Sequence, residues 1–417
     1  MELTLEQQEM AAGGKGPALQ WAIRQQMAAG TFFRAKRLVP VASCHAGAEI
    51  GITGEAGLEL LELLAASGAR VRVPSVTAAC SVDFQRSRSF CVPKSQLDAE
   101  HRLHAAMRRM GFIDSSTCIN YQTVTPPRFR EHLAWGDTGS VTFANAIVGA
   151  RSNYEGGPAA IAAALTGSVP EYGFHLDAAR RATVVFEVRT PLKGTSDWSA
   201  LGALIGPKIN DYWTVPAIVA PDSAPSVDEL KHLAASLASF GSVAMFHVVG
   251  ATPEAPTLEQ ACGGLPPQAL VINRADLDAV YARYSDPGID VPRLTGTDLV
   301  VFSAPQLSLY ELTDIVNRLA GRKVAPGVRL IITVNHQVQA ESERLGYTEI
   351  LEAAGGELLA GTCFYVMAPA LVRKEMGFQS LVTPSAKLAN ILGGAGYRPR
   401  LRSVDDCIAF AVTGRGH

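Results

Sequence analysis

The C-terminal half of the chain alternates short apolar runs with segments that have helix start and stop signals. Three apolar runs, at residues 299–302, 329–334 and 358–366, predict strands. Between the first two, Ser308 and Glu311 have the spacing of a capping box, which predicts a helix that ends at Gly321. Strands that alternate with helices pair in parallel. The pattern therefore predicts an α/β fold whose mainly parallel sheets are covered by helices on both faces.

The length of the chain predicts more than one domain. A chain of 417 residues exceeds the usual size of a single hydrophobic core. The segment of residues 216–225, PAIVAPDSAP, is rich in proline and small residues, which is typical of a connection. We therefore predict two lobes: an N-terminal α/β lobe at residues 1–215 and a C-terminal α/β lobe of repeated strand–helix units at residues 216–417.

Charge and composition exclude several classes of protein. The 37 basic residues nearly balance the 39 acidic ones, so the net charge is −2 and no basic stripe for nucleic acid is present. No apolar run approaches the roughly 20 residues that cross a bilayer, and residues 1–10 do not resemble a secretory signal. Seven scattered cysteines do not indicate a disulfide framework. No dinucleotide or P-loop motif occurs. A cytoplasmic protein with reduced thiols is expected, without a nucleic-acid or membrane partner.

The most distinctive stretch of the sequence is residues 132–175. An apolar run at residues 140–143 predicts a short strand, followed by a turn of small residues. Pro158 then predicts the start of a helix over residues 158–165, and Gly167 predicts its end.

Gly156 and Gly157 precede this helix and leave its first backbone N–H groups bare. Such a helix start is a site for an anion such as a carboxylate. Arg151, a few residues upstream, can donate two hydrogen bonds to the same anion. Glu155 either takes part in proton transfer or only favours the positive end of the helix. The alternative is a tightly packed corner in which the glycines only let two backbone segments approach.

The same stretch resembles the aconitase X family over its whole length, in one order along the chain. The residues that carry the resemblance are EHLAW at 131–135, FAN at 143–145, GAR at 149–151, Asn153, EGGP at 155–158, Gly167 and PEYGFH at 170–175. Members of that family are hydro-lyases related to aconitase. The resemblance implies an aconitase-like fold of α/β/α layers and the dehydration of a small hydroxy acid.

The resemblance also implies a metal centre. Relatives of aconitase use an iron–sulfur cluster, held by thiolates, as a Lewis acid. Of the three segments in which the family has cluster cysteines, two match at Cys118 and Cys363, which are the predicted metal ligands. In the middle segment the expected cysteine is Ala304, and the histidine beside it is Gln306.

Several alternatives remain for the cofactor. Cys44 or Cys80 supplies the third thiolate of an iron–sulfur cluster, the cluster is smaller, or the metal is a single iron or absent. A cysteine by itself usually behaves as a small buried apolar residue. The remaining cysteines have no motif and are expected to be packing or surface residues: Cys91, Cys262 and Cys407.

Further candidates for the site follow from the resemblance. Ser43 and His45 match a Ser-x-His segment and are the predicted catalytic residues, since a histidine transfers protons near neutral pH. The alternative for His45 is a side chain paired with the backbone. Asn145 and Arg151 are expected to orient the substrate carboxylate, with a structural ion pair as the alternative for Arg151. Lys387, in a Ser-x-Lys segment, is expected to hold an anionic group, with a solvated lysine as the alternative.

The sequence lacks one part of an aconitase-type site. Relatives of aconitase carry a catalytic serine on a Gly-x-Gly-Ser-Ser type loop of a swivelling small domain, and this sequence has no such loop. The resemblance implies a large subunit that is completed by a separate small subunit. The preferred substrate is cis-3-hydroxy-L-proline, dehydrated to 1-pyrroline-2-carboxylate, and mevalonate 5-phosphate is the alternative. A metal-free isomerase or lyase of the same fold and a non-catalytic regulatory subunit are further alternatives.

Overall fold

The computed structural model describes residues 1–47, 49–285, 298–319 and 321–414. Helices alternate with short strands throughout these residues. The α-helices are α1 Leu5–Ala12, α2 Pro17–Phe32, α3 Ile50–Ala66, α4 Lys94–Met110, α5 Asn120–Thr123, α6 Thr138–Phe143, α7 Gly157–Thr166, α8 Gly194–Ile209, α9 Val227–Gly241, α10 Leu258–Cys262, α11 Arg274–Arg283, α12 Leu309–Leu319, α13 His336–Arg344, α14 Tyr347–Ala354, α15 Pro369–Met376, α16 Ala386–Gly394 and α17 Val404–Thr413.

The strands are short and most are followed by a helix. They are β1 Leu38–Pro40, β2 Cys44–Ala46, β3 Ser75–Thr77, β4 Ala134–Trp135, β5 Ser168–Pro170, β6 Val184–Val188, β7 Pro216–Val219, β8 His247–Val248, β9 Ala269–Ile272, β10 Asp298–Phe302, β11 Val328–Val334, β12 Gly356–Ala360, β13 Ser380–Thr383 and β14 Arg398–Leu401.

The sheets are mainly parallel. A five-stranded sheet has the order β12-β11-β10-β13-β14, a four-stranded sheet the order β8-β7-β6-β9, and a three-stranded sheet the order β3-β2-β4. Every pair within these sheets is parallel, whereas β1 and β5 pair antiparallel. Parallel neighbours require a crossover, and helices provide it. The predicted α/β class is confirmed. No helix in the described ranges is both long and apolar enough to span a membrane.

The five-stranded sheet is buried on both faces because successive side chains point to opposite sides. On one face Val300 and Ile332 pack in a cluster with residues of α12, α14 and α17. On the other face Val301 and Ile331 pack in a cluster that also contains Cys118 and Cys363. Full burial of each of these branched side chains stabilises the fold by about 1.5–3 kcal/mol. The second face therefore fixes the surroundings of the two predicted metal ligands.

The boundary expected between residues 215 and 216 does not fall between sheets. Pro216 is the first residue of β7, and β7 pairs in parallel with β6. Proline is tolerated at the first position of a strand, where its missing N–H is not needed. A division into residues 1–215 and 216–417 would therefore separate two paired strands, and the proline-rich segment 216–225 is not simply a linker.

Two local predictions are corrected. Residues 140–143, predicted as a strand, belong to α6, because Asp137 caps the helix and its Oδ1 accepts a hydrogen bond from Ser140 N at 3.0 Å. The β-branched side chains of Val141 and Thr142 favour a strand in the sequence pattern. Burial of the helix in the folded protein overrides that preference. The last predicted strand is also shorter than residues 358–366. β12 ends at Ala360, so Cys363 lies beyond its carboxyl end.

Candidate active site

A cavity of about 550 Å³ lies where the strands of the three-stranded sheet end. Gly47, Ala78 and Gly136 directly follow β2, β3 and β4, and all three line the cavity. Tyr365 and Lys387 contribute the opposite wall from the C-terminal half of the chain. Ligand sites form at the carboxyl ends of parallel strands, where the chain leaves the sheet and can shape a crevice. This cavity is therefore the candidate active site.

A close backbone contact holds the turn before α7 against the sheet. A Cβ atom at Gly136 would lie 2.5 Å from the Glu155 carbonyl oxygen, which real side chains do not allow. Glycine at this position lets the turn approach β4, and Glu155 N donates a hydrogen bond to Trp135 O at 2.9 Å. The start of α7 is placed at the cavity in this way.

The helix predicted at residues 158–165 is confirmed as α7, which ends at Gly167 with a φ of 72°. Gly156 is the N-cap residue, no side chain caps the helix, and Gly157 and Pro158 line the cavity. Pro158 has no N–H and Ala159 N donates to Gly156 O at 2.8 Å, so α7 offers the Gly157 N–H and the positive partial charge of its start to the cavity.

Lys387 brings a cation to the same cavity. Its side chain is only 4% exposed, lies 3.5 Å from Thr138 Oγ1 and sits over the Tyr365 ring at 5.2 Å from the ring centre. Within the described part of the chain, no carboxylate oxygen is within 4 Å of Lys387 Nζ. A buried cation in the first turn of α16 is unfavourable both by desolvation and by the helix dipole. The role of Lys387 in binding an anion stays a prediction.

The cavity also has an acidic side, formed by Asp137 and Glu49. Asp137 Oδ1 is fixed by hydrogen bonds from Ser140 N at 3.0 Å and Ser140 Oγ at 3.2 Å. A Cβ atom built on Gly139 would be 3.4 Å from Asp137 Oδ1 and 3.9 Å from Lys387 Nζ. The carboxylate and the ammonium group therefore flank one small space.

Arg151 and Asn145 are engaged elsewhere in the fold. Arg151 donates to the His175 carbonyl oxygen at 2.7 Å and forms an ion pair with Asp177. The Asn145 side chain donates to the carbonyl oxygens of Ser152 and Ala244 at 2.8 and 3.0 Å. Neither side chain is among the described residues that line the cavity. For Arg151 the structure shows the structural ion pair that was the alternative to a role in substrate binding. Both side chains stabilise the backbone around residues 145–152 outside the cavity.

Ser43 and His45 are buried at β2, next to the cavity wall. Trp135 Nε1 donates to Ser43 Oγ at 3.1 Å, and His45 Nε2 donates to the Thr117 carbonyl oxygen at 2.7 Å. Burial lowers the pKa of His45, although Asp137 and the Thr117 carbonyl oppose this effect. His45 Nδ1 is therefore a neutral acceptor, and it is buried without a hydrogen-bond partner. A catalytic role for either residue stays a prediction.

The two predicted metal ligands lie in one buried cluster. Interaction with the Cys363 thiol, together with burial, raises the pKa of Cys118 well above its usual value. Burial alone would raise the pKa of Cys363, but the Cys118 thiol, the hydrogen bond with Ser303 Oγ at 3.3 Å and the charge of Lys387 outweigh burial and lower that pKa. Ser140 Oγ lies 3.0 Å from the Cys118 carbonyl oxygen and 3.2 Å from Asp137 Oδ1, and Tyr365, two residues after Cys363, lines the cavity. The thiol pair therefore lies beside the cavity.

Among the described residues, the two other candidate thiols are bonded to backbone carbonyl oxygens and not to the pair. Ala304 offers no side-chain donor atom, the Cys44 thiol donates to the Ala160 carbonyl oxygen, and the Cys80 thiol lies 2.9 Å from the carbonyl oxygens of Val82 and Gly361. Burial raises the pKa values of both Cys44 and Cys80 above the normal range, which favours their thiol forms. The donor set does not fit an iron–sulfur cluster held by three cysteines of this chain.

A second group of metal-type ligands was missed from the sequence. The ligand atoms of Cys80, Glu100 and His104 lie within 4.8 Å of one another and are buried. Glu100 accepts from two backbone N–H groups, and His104 Nδ1 is 2.8 Å from Asp114 Oδ1. Burial opposes the charged imidazole, but Asp114 and Glu100 raise the pKa of His104 to about 9. The group could hold a metal. The i,i+4 spacing of Glu100 and His104 on α4 was the available sequence signal.

Glu155 is a buried acid whose ionisation the fold disfavours. Burial raises its pKa from 4.5 to about 7, and Oε1 has no hydrogen-bond partner. In the unfolded chain this carboxyl ionises near 4.5, so the folded state binds the extra proton between pH 4.5 and 7. Stability linked to Glu155 is therefore fully present below pH 4.5 and is lost as the pH rises through 7.

We expect this loss to reach about 3 kcal/mol at pH 8. The Glu155→Gln variant has no such proton, so its free energy of unfolding should fall less than that of the wild type between pH 4.5 and 8. Denaturant titrations across this range measure both curves. Glu59→Gln, on the exposed face of α3, is the control and should keep the wild-type pH dependence. Parallel curves for wild type and Glu155→Gln would contradict the prediction.

The fold and this site define an α/β protein with a charged cavity at the carboxyl ends of parallel strands, built from both halves of the chain beside a buried thiol pair. Three family models match it in succession: the aconitase X first domain at residues 1–178, the second domain at 182–282 and the third domain at 297–413. The chain belongs to the aconitase X family.

The similar proteins of known activity are dehydratases. The phosphomevalonate dehydratase large subunit of Thermococcus kodakarensis is 32% identical over 412 residues, which cover 99% of this chain and 100% of that protein. The cis-3-hydroxy-L-proline dehydratase of Pseudomonas aeruginosa is 36% identical over 413 residues, which cover 98% of this chain and 69% of that longer protein. The crystal structure of Thermococcus kodakaraensis aconitase X in its holo form matches with a TM-score of 0.87 at 31% identity, covering 99% of this chain and 100% of that one.

Proposed function

We propose that this chain is the large subunit of a hydro-lyase that dehydrates cis-3-hydroxy-L-proline to 1-pyrroline-2-carboxylate. The observation that carries the proposal is the pair of opposite charges in one cavity, Lys387 and Asp137. A cyclic amino acid is a zwitterion, with its carboxylate and its ammonium group on neighbouring atoms. Lys387 and the start of α7 are positioned to hold the carboxylate, and Asp137 to hold the ammonium group.

The alternative substrate, mevalonate 5-phosphate, carries a carboxylate and a phosphate group and no cation. Among the described residues that line the cavity, Lys387 is basic, whereas Asp137 and Glu49 are acidic. The two anionic groups of such a substrate would be repelled by these carboxylates, and one lysine alone would attract them. This repulsion weakens binding. The name of the Thermococcus relative favours this alternative, and the charges of the cavity favour the zwitterion.

The reaction needs a base for the proton on Cα and a route for hydroxide to leave from C3. Loss of both as water gives an enamine, and transfer of a proton from nitrogen to carbon then gives the cyclic imine. In the proposal, Lys387 and α7 hold the carboxylate, which increases the acidity of the Cα proton. The thiol pair beside the cavity does not match a three-cysteine cluster, and no step is assigned to a metal.

The proposal includes a small partner subunit, which would carry the swivelling domain and the serine loop and would remove the Cα proton. Several relatives are named large subunits, and the longer Pseudomonas relative extends well beyond the matched region. The cysteines within the described ranges are free thiols, which fits a reducing cytoplasmic location.

The test is reconstitution with a small subunit of this family from the same genome. We expect the complex, and not the chain alone, to convert cis-3-hydroxy-L-proline, followed by proton NMR of the imine. Full turnover by the chain alone would show that no small subunit is required and would refute this part of the proposal. Turnover of mevalonate 5-phosphate instead would establish the alternative substrate. Isomerisation without loss of water would indicate an isomerase, and a complex that binds substrate without reaction would indicate a regulatory subunit.

A further inference from the structure

Gln306 joins the segments that meet at the thiol pair. Its side chain is fully buried, and Oε1 accepts a hydrogen bond from Cys118 N at 3.0 Å. Its Nε2 lies 3.0–3.2 Å from the carbonyl oxygens of Ser116, Val334 and Thr362. The Gln306 backbone N–H also donates to Cys118 Sγ at 3.3 Å. One amide therefore ties together the residues before Cys118, the end of β11 and the residue before Cys363.

The other polar groups around the pair are also engaged by protein atoms. Ser303 Oγ accepts from Thr333 Oγ1 at 2.7 Å and from Phe364 N at 3.1 Å. Its own proton is then left for Cys363 Sγ, which is 3.3 Å away. The Ala304 carbonyl oxygen accepts from Ser385 Oγ at 2.6 Å. The segment of residues 303–306 thus presents hydrogen bonds, and not a ligand, to the two thiols.

A metal centre that draws ligands from several segments acts as a cross-link between them. In this chain the cross-link is made by an amide whose oxygen and nitrogen are both paired. A buried amide that loses its hydrogen-bond partners destabilises the fold, so this one fixes the surrounding backbone strongly.

We infer that Gln306 is a positioning residue that holds Cys118 and Cys363 together in place of a three-thiolate cluster, and that this chain does not assemble such a cluster. The inference rests on hydrogen bonds and donor atoms at the thiol pair. It does not depend on which substrate the cavity takes.

The first test is metal content. The full chain is purified without oxygen, incubated with ferrous iron and sulfide and desalted, and iron is measured per chain together with absorbance between 300 and 500 nm, roughly the thiolate-to-iron region. We expect wild type to retain less than about 0.1 iron per chain and to show no such band. Ala304→Cys adds a third thiol beside the pair and should retain iron and gain the band. Stoichiometric iron in the wild type, or none in Ala304→Cys, would overturn the inference.

The second test is the position of the thiols. Gln306→Ala should lower the melting temperature by about 5 °C and increase the rate at which a disulfide reagent labels Cys118 and Cys363 by about tenfold. The buried Cys44 should keep its wild-type rate, which separates a local effect from general destabilisation. Gln26→Ala is the matched control, because this buried glutamine makes one contact, of 3.5 Å to the Ala159 carbonyl oxygen. Equal labelling of wild type and Gln306→Ala would overturn the role of Gln306.

In its protonated form, which burial favours, Gln306→Glu keeps an acceptor for Cys118 N and has one O–H donor in place of the two amide N–H donors. We expect its labelling rate to lie between those of wild type and Gln306→Ala. A rate as fast as that of Gln306→Ala would show that the bond to Cys118 contributes nothing, and this outcome would also overturn the inference.

Discussion

Replacing Lys387 with methionine is expected to lower kcat/KM for cis-3-hydroxy-L-proline by about a hundredfold or more, without loss of fold stability. Removing one partner of a buried charge pair costs about 2–5 kcal/mol of binding, and the lower end of that range already corresponds to a factor of thirty. The substrate carboxylate would be left in a cavity whose remaining positive group is the start of α7. The measurement is steady-state kinetics of the complete enzyme with its small subunit.

The free energy of unfolding of Lys387→Met should not fall, although its kcat/KM should. Lys387 is a buried cation with no described carboxylate oxygen within 4 Å, so methionine, with a similar length and no charge, removes a desolvation cost. Lys231 is the matched control, because it is equally buried but paired with Asp228 and Glu311. Lys231→Met leaves two carboxylates without their partner and should cost about 3–5 kcal/mol of unfolding free energy. A Lys387→Met enzyme with wild-type kcat/KM would contradict the assignment of the carboxylate site.

Asp137→Asn should lower kcat/KM for the same substrate by about ten- to a hundredfold. The change removes the negative charge expected to face the substrate ammonium group and leaves the shape of the side chain almost unchanged. Asparagine caps helices about as well as aspartate, so α6 should keep its start and the free energy of unfolding should change by less than about 0.5 kcal/mol. Kinetics and denaturant titration of the same preparation measure both effects.

A capping variant elsewhere separates the two roles of Asp137. Ser226 caps α9 through a capping box with Glu229. Ser226→Ala should cost about 1 kcal/mol of stability and leave kcat/KM unchanged. If Asp137→Asn left both the stability and kcat/KM unchanged, Asp137 would be a helix cap alone, and the zwitterion argument against mevalonate 5-phosphate would lose its basis.

The sequence predicted those features that short-range physics controls. The capping box at Ser308 forms as expected, since it needs only residues three positions apart. The helix start after Gly157 and its end at Gly167 follow from the same kind of local preference. The parallel sheets followed from the alternation of elements. The strand expected at residues 140–143 failed because burial of α6 outweighed the β preference of its residues.

The candidate site could be predicted only in part. The resemblance selected Cys118 and Cys363, which lie 245 residues apart in sequence and belong to one buried cluster in the structure. Their role as metal ligands stays a prediction. The resemblance also selected Lys387, which lines the cavity. Asp137, Tyr365 and Glu49 were missed, because each needs the ends of two sheets to be placed side by side before a shared cavity exists.

By itself, the sequence determined the α/β class, the helix limits set by caps and glycines, the family, and the lack of a cysteine at position 304. The tertiary structure decided which charged side chains form ion pairs. Arg151 pairs with Asp177, whereas Lys387 lines the cavity and has no described carboxylate oxygen within 4 Å. The physical reason is the distance along the sequence over which each kind of interaction acts. Capping and periodicity act over a few residues of one segment, whereas burial and ion pairing depend on which distant segments pack together, and a linear sequence does not display that.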